Sequence, residues 1–269
     1  MRRTLTRLSL TAFMLAGAGL MPVTRAAKPT AEQVARQSME RDNGRDSRSE
    51  MRMRLFDRQG RVRERVMTLL ARSSTGKGDR TLIRFSYPND IKNTAFLVWE
   101  HPGADDERFL YLPALGRVRR IAGEEKQESF VGSDLSYEDV GGRDVTDYTY
   151  TFVNENATWT APDGTRHEAW QLESRARASG ATYPRSVSLI RKDNFVMVRA
   201  ELFNQRNERE KLFEVKRLER VEGIWTTLAL TVTNEREKTR TDLETTAVRY
   251  NLGLTEDQFS RRQLEQVAP

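Results

Sequence analysis

The feature that most constrains this chain is a two-residue alternation of apolar and polar side chains. It starts near Glu50 and recurs to Asn251, interrupted by turn signals and by one longer charged linker and loop between 121 and 146. Met51, Met53 and Leu55 alternate with Arg52 and Arg54, Asp57-Arg58-Gln59-Gly60 reverses the chain, and Val62 to Leu70 reads as the returning strand. The same pattern predicts strands over 81–87, 94–100, 108–112, 117–121, 146–153, 157–160, 166–176, 184–191, 196–204, 208–219, 224–234 and 238–251. Pro88-Asn89-Asp90, Pro102-Gly103, Pro162-Asp163-Gly164, Asp193-Asn194 and Glu222-Gly223 mark turns between them. No long helical pattern separates these strands, so the sheet reads as an antiparallel meander rather than a parallel α/β core. One helix precedes it. Thr30-Ala31-Glu32-Gln33 is a capping-box pattern, and Ala31, Val34, Ala35, Ser38 and Met39 share one face, which predicts a helix over 30–42 ending near Asn43-Gly44. Thr255 to Gln258 predicts a short helical turn near the C-terminus.

Composition agrees with a sheet that keeps one face in water. Of 269 residues, 37% are hydrophobic and 31% charged. No internal repeat, Pro- or Ser-rich linker or low-complexity tract divides the chain, so residues 27–269 read as one domain. Arg2, Arg3 and Arg7 precede an apolar segment from Leu8 to Val23, followed by the small-x-small site Thr24-Arg25-Ala26. This predicts a cleaved signal peptide over 1–26, since Ser9, Thr11, Gly17 and Gly19 interrupt what would otherwise be a membrane span. Those 26 residues hold four arginines and no acid, leaving 41 basic against 39 acidic residues in the remainder. A near-neutral exported chain is a poor nucleic-acid partner. Without cysteine it has neither disulfides nor a lipidation site. The expected mature protein is a soluble periplasmic monomer.

Catalytic signatures are scarce. His101 and His167 are the only histidines, and Ser129, Ser133 and Ser136 lack a Gly-x-Ser-x-Gly elbow. Gly76-Lys77-Gly78 lacks the spacing of a phosphate loop. We therefore expect no enzyme, no cofactor and no metal. The one acidic cluster is Asp134, Glu138 and Asp139. It could serve as an acid–base pair or cation site. The reading favoured by the absence of a third ligand at metal spacing is that Asp134 bonds loop amides while Glu138 and Asp139 pair with Arg117, Arg119 or Arg120 across adjacent strands. The loop would then be a clasp at the edge of the sheet or a docking surface.

The stretch from Arg108 to Val140 is the most distinctive part of the chain. It contains Tyr111-Leu112-Pro113, Arg117, Arg119-Arg120, Ser129-Phe130, Gly132-Ser133-Asp134 and Tyr137-Glu138-Asp139. In these motifs the chain resembles the outer-membrane lipoprotein-sorting family, relatives of the periplasmic carrier LolA. The resemblance implies a mainly β, curved, incomplete antiparallel barrel of about ten strands with a few helices against its concave face. It implies a periplasmic carrier that holds lipid, or the acyl chains of lipoproteins, in an apolar cavity and ferries them between inner and outer membrane. The N-terminal helix is then the candidate lid. Candidate cavity residues are Phe85, Phe96, Trp99, Phe109, Tyr111, Phe130, Tyr150, Trp170 and Trp225, most of which also suit an ordinary core. Candidate motif or docking residues are Arg117, Arg119, Arg120, Gly132, Ser133, Asp134, Tyr137, Glu138 and Asp139. The broader group looks like companions of RND-type inner-membrane lipid exporters. Cargo could be a lipoprotein, a free lipid or a hopanoid-like molecule. The alternative is an accessory module that docks such an exporter without carrying lipid.

Overall fold

The computed structural model describes residues 28–74 and 78–266. The expected signal peptide lies outside them. Helix α1 (Ala31–Met39) is followed by β1 (Asp46–Phe56), β2 (Val62–Arg72), β3 (Arg80–Tyr87), β4 (Ala95–Trp99), β5 (Glu107–Leu112) and β6 (Arg117–Ile121). A linker over 122–147 carries the single-turn helix α2 (Tyr137–Gly141). The second run is β7 (Tyr148–Thr160), β8 (Arg166–Ala176), β9 (Arg185–Arg191), β10 (Met197–Phe203), β11 (Arg209–Val221), β12 (Ile224–Asn234) and β13 (Thr239–Tyr250), and α3 (Arg261–Glu265) closes the chain.

All thirteen strands form one antiparallel sheet in the order β6-β5-β4-β3-β2-β1-β13-β12-β11-β10-β9-β8-β7. The path explains the order. A meander runs outward from β1 to the edge at β6, the linker crosses the face to the other edge, and a second meander returns from β7 to the centre. There β13 pairs with β1, from Ser47 opposite Tyr250 to Phe56 opposite Arg240. The sheet is curved and its edges, β6 and β7, do not pair, which is the incomplete barrel of a LolA-like fold.

Three expected boundaries shift for physical reasons. Strand β1 begins four residues before the alternation does, because Ser47 and Ser49 occupy buried positions with small polar side chains that hide the pattern. The segments expected at 146–153 and 157–160 are one strand, β7, whose register slips at Phe152/Asn154 and Asn154/Ala157. The polar run Val153 to Asn156 is thus a bulge rather than a turn. Helix α1 stops at Met39, with Glu40 as its C-cap.

Strand parity divides the core between two faces. On the concave face Met53, Met67, Phe85, Phe96 and Val98 pack with Phe130, Leu135 and Tyr137 of the linker. On the opposite face Leu82, Ala95, Leu97 and Phe109 pack with Phe259 and Leu264. Two helices therefore lie on the concave face, while α3 covers the other side of β4 to β6. At the far half of the concave face, Ala31 and Val34 of α1 rest on Leu172 and Ile190.

Candidate functional site

The small side chains of one strand surface create the site. Ser186 and Ser188 of β9 alternate toward the concave face with Ile190, and Val198, Ala200 and Leu202 of β10 do the same beside them. Ile190 meets Ala31 and Val34 of α1, but Ser186, Ser188 and Ala200 are short, and α1 presents only Ala35 and Ser38 above them. A cavity of about 450 Å³ remains under α1, bounded by β7 to β12. That lies within the roughly 300–1,000 Å³ of ordinary ligand pockets.

The roof is held by few groups. Thr30 caps α1, accepting from the Gln33 amide at 3.2 Å while the Gln33 side chain accepts from the Thr30 amide at 2.8 Å. Below the last turn, Arg41 Nη1 donates to the Trp225 carbonyl at 3.0 Å. Burial holds the Arg41 guanidinium below its ordinary pKa. Met39 and Met197 line the cavity yet are 44% and 46% exposed, which places the opening between them.

The opposite end is polar and closed. Asp139 accepts from Lys211 Nζ at 2.8 Å, with both side chains buried. It also accepts from the Ser136 amide at 2.9 Å, while Ser136 Oγ accepts from the Asp139 amide at 3.1 Å, so the pair caps α2. The Arg143 guanidinium lies 4.0 Å from Asp139 and sits over the rings of Tyr148 and Tyr183 at 5.7 and 5.3 Å. Burial pushes the Tyr150 hydroxyl up to about 12, and burial with nearby Asp139 raises that of Tyr183. Beyond Lys211 lies a polar cleft of about 590 Å³ that includes Ser133, Asp134 and Ser136.

Of the nine aromatic candidates, Tyr150 alone lines the apolar cavity. Phe85, Phe96 and Phe130 fill the other half of the concave face, with Phe130 5.8 Å from Phe85 and 5.4 Å from Phe96. Trp99, Phe109 and Tyr111 face α3, where Trp99 Nε1 donates to the Phe259 carbonyl at 2.7 Å. Trp170 stacks on Phe195 at 5.4 Å, and Trp225 carries Arg191 at 5.2 Å. Most of these aromatics fill space elsewhere, and the cavity is lined largely by small and aliphatic residues together with Tyr148, Tyr150 and Phe213.

The motif residues gather on the linker, with partners other than those expected. Asp134 accepts from the hydroxyls of Thr239 and Thr241, and Thr241 Oγ1 accepts from its amide at 3.0 Å. This ties the loop to β13, at the centre of the sheet rather than its edge. Gly132 has φ 73°, and Ser133 Oγ donates to the Phe130 carbonyl at 2.8 Å. Tyr137 meets Phe130 edge-on at 5.7 Å. Glu138 accepts from Thr182 Oγ1 at 2.5 Å. The arginines of β6 pair elsewhere, Arg119 with Glu125 at 3.1 Å and Arg120 with Glu107 at 3.8 Å, while Arg117 is exposed. The single turn of α2 directs Glu138 and Asp139 toward Thr182 and Lys211, away from that edge strand. Arg41, Arg143, Met39 and Met197 were absent from the sequence-based candidates. Met39 on the predicted helix face was the available signal.

A curved, open sheet with an apolar cavity under an N-terminal helix defines a protein of the LolA-like class. A LolA superfamily protein from Nitrosomonas europaea shares that fold at 13% identity, with a TM-score of 0.67 over 88% of this chain and 100% of its own. A domain assigned to outer-membrane lipoprotein sorting from Vibrio parahaemolyticus is 27% identical, with a TM-score of 0.80 over 88% of this chain and 98% of its own. A DUF1329 family protein from Desulfovibrio piger is 31% identical, with a TM-score of 0.79 over 87% of this chain and 97% of its own. A family model described as an uncharacterized protein matches residues 77–266. No curated protein matches the sequence. The chain belongs to the DUF1329 family, among the LolA-like proteins to which the 108–140 motifs pointed.

Proposed function

We propose that this protein is a periplasmic carrier that shelters the acyl chain of a lipid or lipoprotein under α1 and ferries it between inner and outer membrane. The observation that carries the reading is the apolar cavity of about 450 Å³ roofed by one nine-residue helix. A cavity of about 150 Å³ accepts benzene, so this one has room for one chain of roughly 18 carbons. Burying the about 15 methylenes of a C16 chain is favourable by about 12 kcal/mol gross at about 0.8 kcal/mol each. A carrier must match most of that and still release its cargo. A short helix seated through Ala31 and Val34 on Leu172 and Ile190 is a roof that can lift. A lipoprotein anchor with several chains would require it to do so.

A second reading, an accessory module docking an RND-type exporter, draws on the exposed Arg117 and Arg120 of the edge strand β6. Native mass spectrometry of protein purified from its own periplasm without detergent separates the two. We expect a stoichiometric co-purified lipid or acylated peptide. A clean apo mass with no uptake of a fluorescent fatty acid would overturn the carrier and favour docking.

A further inference from the structure

Three guanidinium groups line the apolar cavity, and they are not equivalent. Arg199 is matched by Glu201 at 2.7 Å and Glu214 at 3.2 Å. Arg143 has Asp139 at 4.0 Å and the faces of two tyrosines. Arg41 has no carboxylate within 4.0 Å among the described residues, and the Trp225 carbonyl is its one hydrogen-bond acceptor. Its position is equally specific. It follows Met39 by two residues, and Met39 with Met197 forms the exposed apolar rim where the cavity meets water. A guanidinium carries five N–H donors in a planar fork suited to carboxylate or phosphate. One donor is taken here, which leaves the fork available at the mouth.

Resting on the carrier reading, we infer that the cavity takes a single-chain amphiphile tail first and that Arg41 binds its anionic head at the mouth. A negative group there supplies the direct ion-pair partner that Arg41 lacks, since Asp42 acts on it only from beyond 4.0 Å, while Met39 and Met197 cover the first methylenes. The head can be a fatty-acid carboxylate or a lysophospholipid phosphate, since both present oxygens to the fork. An uncharged head would gain nothing from Arg41.

The test is displacement of a neutral fluorescent alkyl probe from the purified protein by palmitate, 1-palmitoyl lysophosphatidate and hexadecanol, each kept below its aggregation threshold. We expect the anionic ligands to compete roughly 10- to 100-fold better than hexadecanol, the range of one hydrogen-bonded charge. In Arg41→Gln that ratio should fall toward one while hexadecanol competes as before. Arg41 also anchors α1 to β12, and a purely structural role would weaken all three ligands alike, overturning the proposal. Preference for palmitate alone would identify a fatty acid, and preference for lysophosphatidate alone a phospholipid, each in support. If Arg41→Gln fails to fold, the wild-type protein decides. The anion preference should shrink at high ionic strength while hexadecanol affinity does not fall, and an unchanged preference overturns the proposal. A wild-type protein that binds the probe but shows no anion preference overturns this inference and leaves the carrier standing. One that binds neither probe nor ligand overturns both.

Discussion

At the scale of single residues, Asp139 has more at stake than its neighbour Glu138. It neutralises buried Lys211 at 2.8 Å and caps α2, whereas Glu138 accepts a hydrogen bond from Thr182. Removing one partner of a buried ion pair strands the other charge, so we expect Asp139→Ala to cost about 3–5 kcal/mol in denaturant unfolding. Glu138→Ala should cost about 1 kcal/mol. Lys211→Met in the Asp139→Ala background should return much of the loss, because the stranded ammonium is then gone. A double variant as unstable as the single would mean that capping, not the ion pair, carries the cost. The sequence displays this acidic cluster plainly but hides its partners. Thr239 and Thr241 lie 105 and 107 residues from Asp134, and Lys211 lies 72 from Asp139. Such pairs are set only when the second meander returns to β1, which no local pattern records.

At the scale of elements, α1 was legible because its capping box and apolar face are local, and the strands because alternation survives in most of them. Helix α2 was not, since five residues give no periodicity to read. Close to its C-terminal end lies Glu100, just past β4, whose Oε1 would lie 3.5 Å from a Cβ placed on Gly142. Burial first, and then the charges of Asp79 and Asp106, push the Glu100 carboxyl up to about 7. The folded protein therefore keeps this proton where the unfolded chain, near 4.5, has lost it. The associated stability is full below about pH 4.5 and is lost as pH rises through about 7. Allowing for the solvent that reaches this half-buried group, the loss is about 1–2 kcal/mol. Glu100→Gln should flatten that part of the stability profile and be the more stable protein at pH 8, as read by denaturant midpoints across pH. An identical pH slope in the variant would assign the dependence to other groups.

At the scale of the whole molecule, one sheet presents two differently treated halves of a single concave face. Over β2 to β5 the linker supplies Phe130 and Tyr137, which fill the curve with interlocking rings. Over β8 to β10 it is α1 that lies above the sheet, the linker reaches only one end with Asp139 and Arg143, and Ser174, Ser186, Ser188 and Ala200 leave space beneath. The same crossing connection that brings the 108–140 motifs onto the sheet thus plugs one half and leaves the other to hold a guest. This is why motif residues and cavity residues hardly overlap, and why a search for conspicuous aromatics finds the plug rather than the pocket. Ligand should therefore stabilise the molecule unevenly. With palmitate at about 100 times its Kd, linkage gives about 2.7 kcal/mol, a rise in Tm of about 5–10 °C for a domain of this size. Amide hydrogen exchange should slow in α1 and β8 to β10, where opening must now break contacts with the chain, and stay unchanged in β3 to β5. Protection centred on β3 to β5 would place the guest beside Phe85, Phe96 and Phe130 after all, and would require the linker rather than α1 to be the part that moves.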